Sequence, residues 1–161
     1  MNYSDLIEQL KSVFPDALPP SFTLYDGQRE DDYGLFSSEY EAVGRKLRWH
    51  EIRLIDLQET PFAMLFLPPG NQHYYLPAYL HHALLAWEKG EESDWRLERG
   101  FDFVLNKLDE TAFVALFSSE QVDFIIAFLK ALMIAEPVHN VTAIQAILLW
   151  ESVGDRVNII N

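Results

Sequence analysis

Residues 118–135, SSEQVDFIIAFLKALMIA, carry the strongest helix signal in the chain. Ser118 and Gln121 have the spacing of a capping box, in which each side chain accepts a hydrogen bond from a backbone N–H at the start of a helix. The residues that follow are apolar around most of the helix circumference, and Pro137 ends the pattern. A helix of this kind lies at the centre of a core or against a partner. The stretch therefore predicts a helix in a mainly helical domain, either at the centre of its core or against a partner.

Helical spacing of apolar residues predicts two further helices in the N-terminal part of the chain. The first starts near Ser4, a favoured N-cap residue, and Pro15 ends it. Asp26-Gly27 is a turn signal. A second helix is expected over about residues 30–43, where aromatic and aliphatic residues recur every three or four positions.

Three more helices are predicted in the C-terminal part. Pro77 suits the first turn of one helix, because proline is favoured at the first helical position. Asp94 or Ser93 is the expected cap of the next helix, whose apolar stripe includes Trp95. The last helix is expected over about residues 139–153, with Gly154 closing it.

These elements together predict the fold class. We expect a mainly α protein, an irregular single-domain bundle of five to six helices over residues 1–161. The apolar run at residues 62–67 is either a short strand or a helical turn, because its periodicity fits both, so a strand or hairpin stays open there. Residues 154–161 are expected to form a flexible tail.

The charge balance restricts the classes of partner. The chain has 161 residues, with 25 Asp and Glu against 12 Lys and Arg, and a formal net charge of −13. A field of that sign repels phosphate groups, which argues against binding to nucleic acid or to an anionic membrane surface. It suits a basic protein partner, although an acidic surface also simply keeps a protein soluble.

Motifs of enzymes, metal sites and secretion are missing from the sequence. There is no cysteine, no G-x-S-x-G, no phosphate-binding glycine loop and no H-E-x-x-H. Glu98 and Asp102 lie one helical turn apart, and we interpret them as part of a solvated helix face. The five histidines have no recognised ligand spacing. We therefore expect no enzymatic activity, no cofactor and no bound metal, and we expect a cytoplasmic protein, since no signal peptide or membrane span is evident.

Two acidic clusters are the candidate partner-binding residues. The first cluster, which includes a tyrosine suited to an interface anchor, is Asp26, Glu30, Asp31, Asp32 and Tyr33. The second cluster is Glu91, Glu92 and Asp94. An alternative for the first cluster is ion pairing with the basic residues that follow it, namely Arg45, Lys46, Arg48 and Arg53.

Several strings in the middle of the chain carry a family resemblance. They are Trp49-His50-Glu51-Ile52, Phe66-Leu67-Pro68, the string YYLPAYL at residues 74–80, Leu116-Phe117-Ser118 with Gln121, and Phe128-Leu129. Through these strings, roughly residues 36–130 resemble a family of small bacterial proteins of unknown function. The resemblance implies a bacterial, cytosolic, mainly helical domain and transfers no catalytic residue. Residues 69–71, Pro-Gly-Asn, depart from the more helical residues expected there, so no helix is expected before residue 74.

Three hypotheses about function follow from these observations. The first is a protein-binding module, namely a bacterial immunity protein that blocks a cognate basic toxin or effector, because small size and acidity suit an inhibitor that is steered onto a basic target. The second is a housekeeping interaction or adaptor subunit. The third is an enzyme with a dispersed carboxylate or tyrosine site. The oligomeric state is left open.

Overall fold

Helices make up the regular structure of this protein, whose computed structural model describes residues 2–32, 47–106 and 111–160. In the last range, side chains are described over residues 113–154. These parts contain no strand, and the prediction of a mainly α fold is confirmed. They hold more helices than the five or six expected, because several are short segments of four to six residues with little periodicity of their own. The helix expected over residues 30–43 lies mostly outside the described residues.

The elements are numbered here in chain order. The α-helices are α1 (Tyr3–Val13), α2 (Leu24–Asp31), α3 (Leu54–Glu59), α4 (Ala63–Phe66), α5 (Pro69–Glu88), α6 (Trp95–Asn106), α7 (Thr111–Val114), α8 (Ser119–Ala135) and α9 (Asn140–Ile160). Two 3-10 turns, Trp49–Glu51 and Pro137–His139, precede α3 and α9.

Helix α5 runs through the centre of the fold. It packs against α1, α6 and α7, and residues 75–80 are all buried. The predicted start at Pro77 is wrong, because the helix begins two turns earlier, at Pro69. Pro69 has the favoured first position, whereas Pro77 is buried in the helix interior, where packing of the surrounding residues offsets its missing N–H. The expectation that no helix precedes residue 74 is wrong for the same reason.

Gly27 lies inside helix α2, so the turn predicted at Asp26-Gly27 is wrong. Thr23 and Asp26 form a capping box, and the helix starts at Leu24. Helix α2 packs directly on α4 at this glycine. A Cβ atom at Gly27 would lie 2.8 Å from the carbonyl oxygen of Ala63, so the glycine permits close approach of two backbones.

We expect Gly27→Ala to destabilise the protein by about 1–3 kcal/mol, because the added methyl has to push backbone rather than a side chain. Gly70→Ala in α5 is the matched control, since no atom lies within 4 Å of its Cβ position. Alanine favours helix there, so Gly70→Ala should leave stability unchanged or raise it by up to about 1 kcal/mol. Urea denaturation followed by circular dichroism measures both. Equal midpoints for the two variants would contradict the close contact of α2 with α4.

Two further expectations concern short segments. The apolar run at residues 62–67 is helical rather than a strand, since Ala63–Phe66 form α4. Trp95 is 55% exposed and lies outside the apolar stripe assigned to it. Arg96 and Arg99 lie over its ring within 6 Å, which explains how a large aromatic side chain is accommodated at the surface.

Helices α8 and α9 form an antiparallel pair joined by the turn Pro137–His139. The capping box of Ser118 and Gln121 is present at the start of α8, as predicted. The predicted closure at Gly154 is wrong, because α9 continues to Ile160. A glycine inside a helix costs only about 1 kcal/mol relative to alanine, and packing outweighs it here. The flexibility of residues 154–161 stays a prediction.

Candidate functional site

Helix α9 has two apolar faces, and only one of them is covered. Every third or fourth residue, namely Ala143, Ala146, Trp150 and Val153, is buried in the core with α8. The opposite face points to solvent. There Val141 is 71%, Ile144 46% and Leu148 63% exposed. Residues 140–150 contain no charged residue, although charged residues make up 23% of the chain.

Neighbouring side chains extend this face into a larger patch, which we call the outer face. It consists of the exposed apolar residues Ile134, Val138, Val141, Ile144, Leu148 and Leu149. The exposed polar side chain of Gln145 lies on the same side of α9 as Val141 and Leu148. A group of exposed apolar side chains of this kind is typical of interaction sites.

The first predicted acidic cluster is only partly available to a partner. Asp26 is half-buried, and its carboxylate is already used: it accepts hydrogen bonds from the backbone N–H and the hydroxyl of Thr23 at 2.7 and 2.8 Å. The Asp31 carboxylate accepts a bond from the buried Gln28 side chain at 3.2 Å, and Asp32 is half-buried. Glu30 is exposed.

The structure also bears on the remaining member of the first cluster and on the basic residues that were the alternative ion-pair partners of that cluster. Tyr33, Arg45 and Lys46 fall outside the described residues. The two described members of the basic group pair with other acids, Arg48 with Asp16 and Arg53 with Asp56. In the described parts of the chain, both arginines therefore pair with acids outside the first acidic cluster.

The second acidic cluster also divides into a structural and an exposed part. Hydrogen bonds from the Arg96 guanidinium and backbone, with another from Gln58, lower the pKa of Asp94 to about 2. Asp94 thus holds the start of α6 in place, as predicted for a cap. Glu91 and Glu92 are exposed in the loop before it. The backbone N–H of Glu91 donates to the carbonyl of Ala86 at 3.0 Å, but in the described parts of the chain no hydrogen bond involves the side chain of Glu91 or Glu92.

A polar cluster that was not predicted from the sequence lies between α6 and the turn after α8. It consists of Glu98, Glu136 and His139, and we call it the Glu–Glu–His cluster. One ligand atom of each side chain lies within 4.8 Å of the other two. The available signal was the i, i+3 spacing of Glu136 and His139, which occurs in carboxylate–histidine metal sites, but a 3-10 turn rather than a helix carries it. The interpretation of Glu98 as part of a solvated helix face is therefore wrong, because its side chain lies in this cluster and is only 19% exposed.

Hydrogen bonds from outside orient the two carboxylates of this cluster. Oε1 of Glu136 accepts from the indole N–H of Trp87 at 2.5 Å and from the backbone N–H of Ser93 at 2.8 Å. Although burial raises the pKa of Glu136, these bonds bring it below its usual value. Burial and the charge of Glu136 raise the pKa of Glu98. The two glutamates therefore differ in how readily they ionise.

Three of the five strings that carry the family resemblance contribute side chains to one small pocket. Trp49, Tyr74, Pro77 and Gln121 line it, together with Phe14 and other residues, around a volume of about 110 Å³. The polar edges of the walls are already used, since the indole N–H of Trp49 donates to Phe14 and the hydroxyl of Tyr74 donates to Ala17. The pocket is smaller than the cavities that bind whole metabolites and has room for about one side chain.

Comparison with known proteins identifies one family. Its sequence profile, described as a family of unknown function (DUF6714), matches residues 2–152. No curated protein and no solved structure matches the chain. In the parts of the chain that the structure describes, no helix is both long enough and apolar enough to cross a membrane. Because the profile match extends from α1 almost to the end of the described side chains of α9, the chain belongs to the family of unknown function DUF6714.

Proposed function

We propose that this protein is a protein-binding module that holds a basic partner on the outer face of α9. The observation that supports the proposal is the outer face itself, about three turns of helix that expose Val141, Ile144 and Leu148 to water and carry no charge. Burying apolar surface contributes roughly 25 cal/mol per Å², so covering this face is a substantial driving force for association.

The net charge of the protein favours one class of binding partner for the outer face. The net charge of −13 favours a partner whose apolar patch is bordered by Lys and Arg. The same charge disfavours an anionic membrane surface. A second copy of the chain would bring two strongly acidic molecules together, which opposes self-association. The occupant is therefore a basic protein.

The most specific form of the proposal is a bacterial immunity protein that acts in the cytoplasm and blocks a cognate basic toxin. Small size, acidity and an apolar docking face suit that role. A housekeeping adaptor subunit has the same surface requirements. The neighbouring gene separates the two roles, because an immunity gene lies beside the gene of its toxin.

We expect Leu148→Asp to weaken binding to the basic product of the adjacent gene by about ten-fold or more, mainly through faster dissociation. The introduced carboxylate has to be desolvated at the centre of the contact, where anchors carry most of the binding energy. Leu18→Asp is the matched control, because Leu18 is 83% exposed between α1 and α2 and lies outside the outer face. Surface plasmon resonance measures both rate constants.

Charge reversal tests the steering part of the proposal. Glu91→Lys combined with Glu92→Lys, or Glu30→Lys alone, should slow association, and added salt should slow it in the wild type. Asp26 and Asp94 are left unchanged because they cap helices. No binding by the adjacent gene product would overturn the immunity role. Either of two results would overturn the proposed docking face: equal loss of affinity in Leu148→Asp and Leu18→Asp, or a wild-type dimer in sedimentation that Leu148→Asp dissociates.

A further inference from the structure

The Glu–Glu–His cluster brings three metal-ligating side chains together from segments far apart in the sequence. Glu98 comes from α6, whereas Glu136 and His139 come from the connection between α8 and α9. The side chain of Glu136 is only 4% exposed, and those of Glu98 and His139 are 19% and 25% exposed. The cluster thus has a closed inner side and one side open to solvent.

Each glutamate has one oxygen held from outside and the other turned towards the histidine. Trp87 and the backbone of Ser93 hold Oε1 of Glu136, and the Ser93 hydroxyl donates to Oε1 of Glu98 at 3.1 Å. Oε2 of Glu98 and Oε2 of Glu136 lie 3.3 and 3.6 Å from Nε2 of His139. Metal ligands are commonly oriented by outer hydrogen bonds of this kind.

The two distances from Nε2 of His139 are compatible with a metal as well as with an ion pair, and the ligand atoms of the two glutamates lie within 4.8 Å of each other. Ordinary N–H···O bonds are about 2.7–3.2 Å long, shorter than both contacts of His139. A tetrahedral zinc ion with ligands at about 2.0–2.1 Å separates its ligand atoms by about 3.3–3.4 Å. The two measured separations of 3.3 and 3.6 Å lie at or close to that value.

The electrostatics of the cluster also favour a cation. Two glutamates share a largely buried site, and half-buried Asp102 lies one helical turn after Glu98. Burial and the charge of Glu136 raise the pKa of Asp102. A divalent ion would relieve the repulsion among these carboxylates. The single histidine relieves it only while its imidazole is protonated.

We propose that Glu98, Glu136 and His139 bind one divalent transition-metal ion, Zn²⁺ in the first place, with the fourth position open to solvent. Two carboxylate oxygens and one imidazole nitrogen form a ligand set that zinc accepts. The ion would link α6 to the connection between α8 and α9. This site adjoins the outer face at Val138, which lies between Glu136 and His139 in the sequence, but its test needs no partner protein.

The test is titration of untagged, chelator-treated protein with Zn²⁺ by calorimetry, with Co²⁺ as a second probe whose visible absorption reports a tetrahedral site. We expect one equivalent bound by the wild type. Glu136→Gln and His139→Gln should each weaken binding by about 100-fold or more, since each loses a direct ligand. His50→Gln is the matched control, because His50 is an exposed histidine outside the cluster, and it should bind as the wild type does.

Glu136→Gln keeps an oxygen that accepts from Trp87 and Ser93, so it is expected to fold, and its urea midpoint verifies this. Binding of one equivalent that both cluster variants lose and His50→Gln retains would establish the site. Either of two results overturns it: no saturable binding of Zn²⁺ or Co²⁺ by the wild type, which leaves an ion-pair cluster only, or equal binding by all four proteins, which indicates adventitious surface binding.

Discussion

Trp150→Ala is expected to lower the free energy of unfolding by about 3–5 kcal/mol, which is a large part of the stability of a domain of this size. Trp150 is fully buried between α9 and the rest of the core, and its ring meets that of Phe117 edge-on at 5.0 Å. Its indole N–H donates to the carbonyl of Leu105 at 2.9 Å. The substitution therefore leaves both a cavity and a carbonyl without its partner.

Trp95→Ala is the matched control for this experiment, because it removes the same side chain from an exposed position. We expect a loss of less than about 1 kcal/mol, corresponding to the contacts of the ring with Arg96 and Arg99. Urea denaturation followed by far-ultraviolet circular dichroism suits both variants, since fluorescence changes whenever a tryptophan is removed. Similar midpoints for the two variants would contradict the placement of α9 in the core.

Glu136→Leu should destabilise the protein by about 3 kcal/mol. The leucine fills space of similar size, but the indole N–H of Trp87 and the backbone N–H of Ser93 both lose their acceptor. A buried donor without an acceptor costs about 1–3 kcal/mol, and the relief of repulsion with Glu98 offsets part of the sum.

Glu136→Gln separates hydrogen bonding from charge at the same position. The amide oxygen still accepts from both donors, so the loss should stay within about 1 kcal/mol. Denaturation at neutral pH in the presence of a chelator measures the two variants without any contribution from metal. Equal losses for Leu and Gln would show that the negative charge, rather than the acceptor, holds Trp87 and Ser93 in place.

The fold class followed from local signals that tertiary structure does not alter. The capping box of Ser118 and Gln121 specifies where α8 starts, because its hydrogen bonds join residues three apart. Prolines and glycines were less informative. Pro77 and Gly154 both looked like helix boundaries, yet both lie inside helices where packing outweighs their intrinsic cost.

For the candidate sites too, some features followed from the sequence and others only from the packing of the helices. The acidity and the uncharged stretch at residues 140–150 are properties of the sequence, and the acidity was enough to favour a protein partner of basic character. They did not show which apolar face of α9 is covered. That depends on which side packs against α8, and the exposure of Val141, Ile144 and Leu148 decides it.

By itself, then, the sequence determined a mainly helical, acidic protein without cysteine, because helix periodicity, caps and composition act over short separations. Only the tertiary structure placed Glu98 beside Glu136 and His139, since no spacing along the chain joins residues about 40 positions apart. The caps formed by Asp26 and Asp94 depend instead on hydrogen bonds between residues two or three apart, so they belong to the local signals of the sequence. Long-range packing brings distant side chains to one point, and that is why sites are harder to predict from sequence than helices.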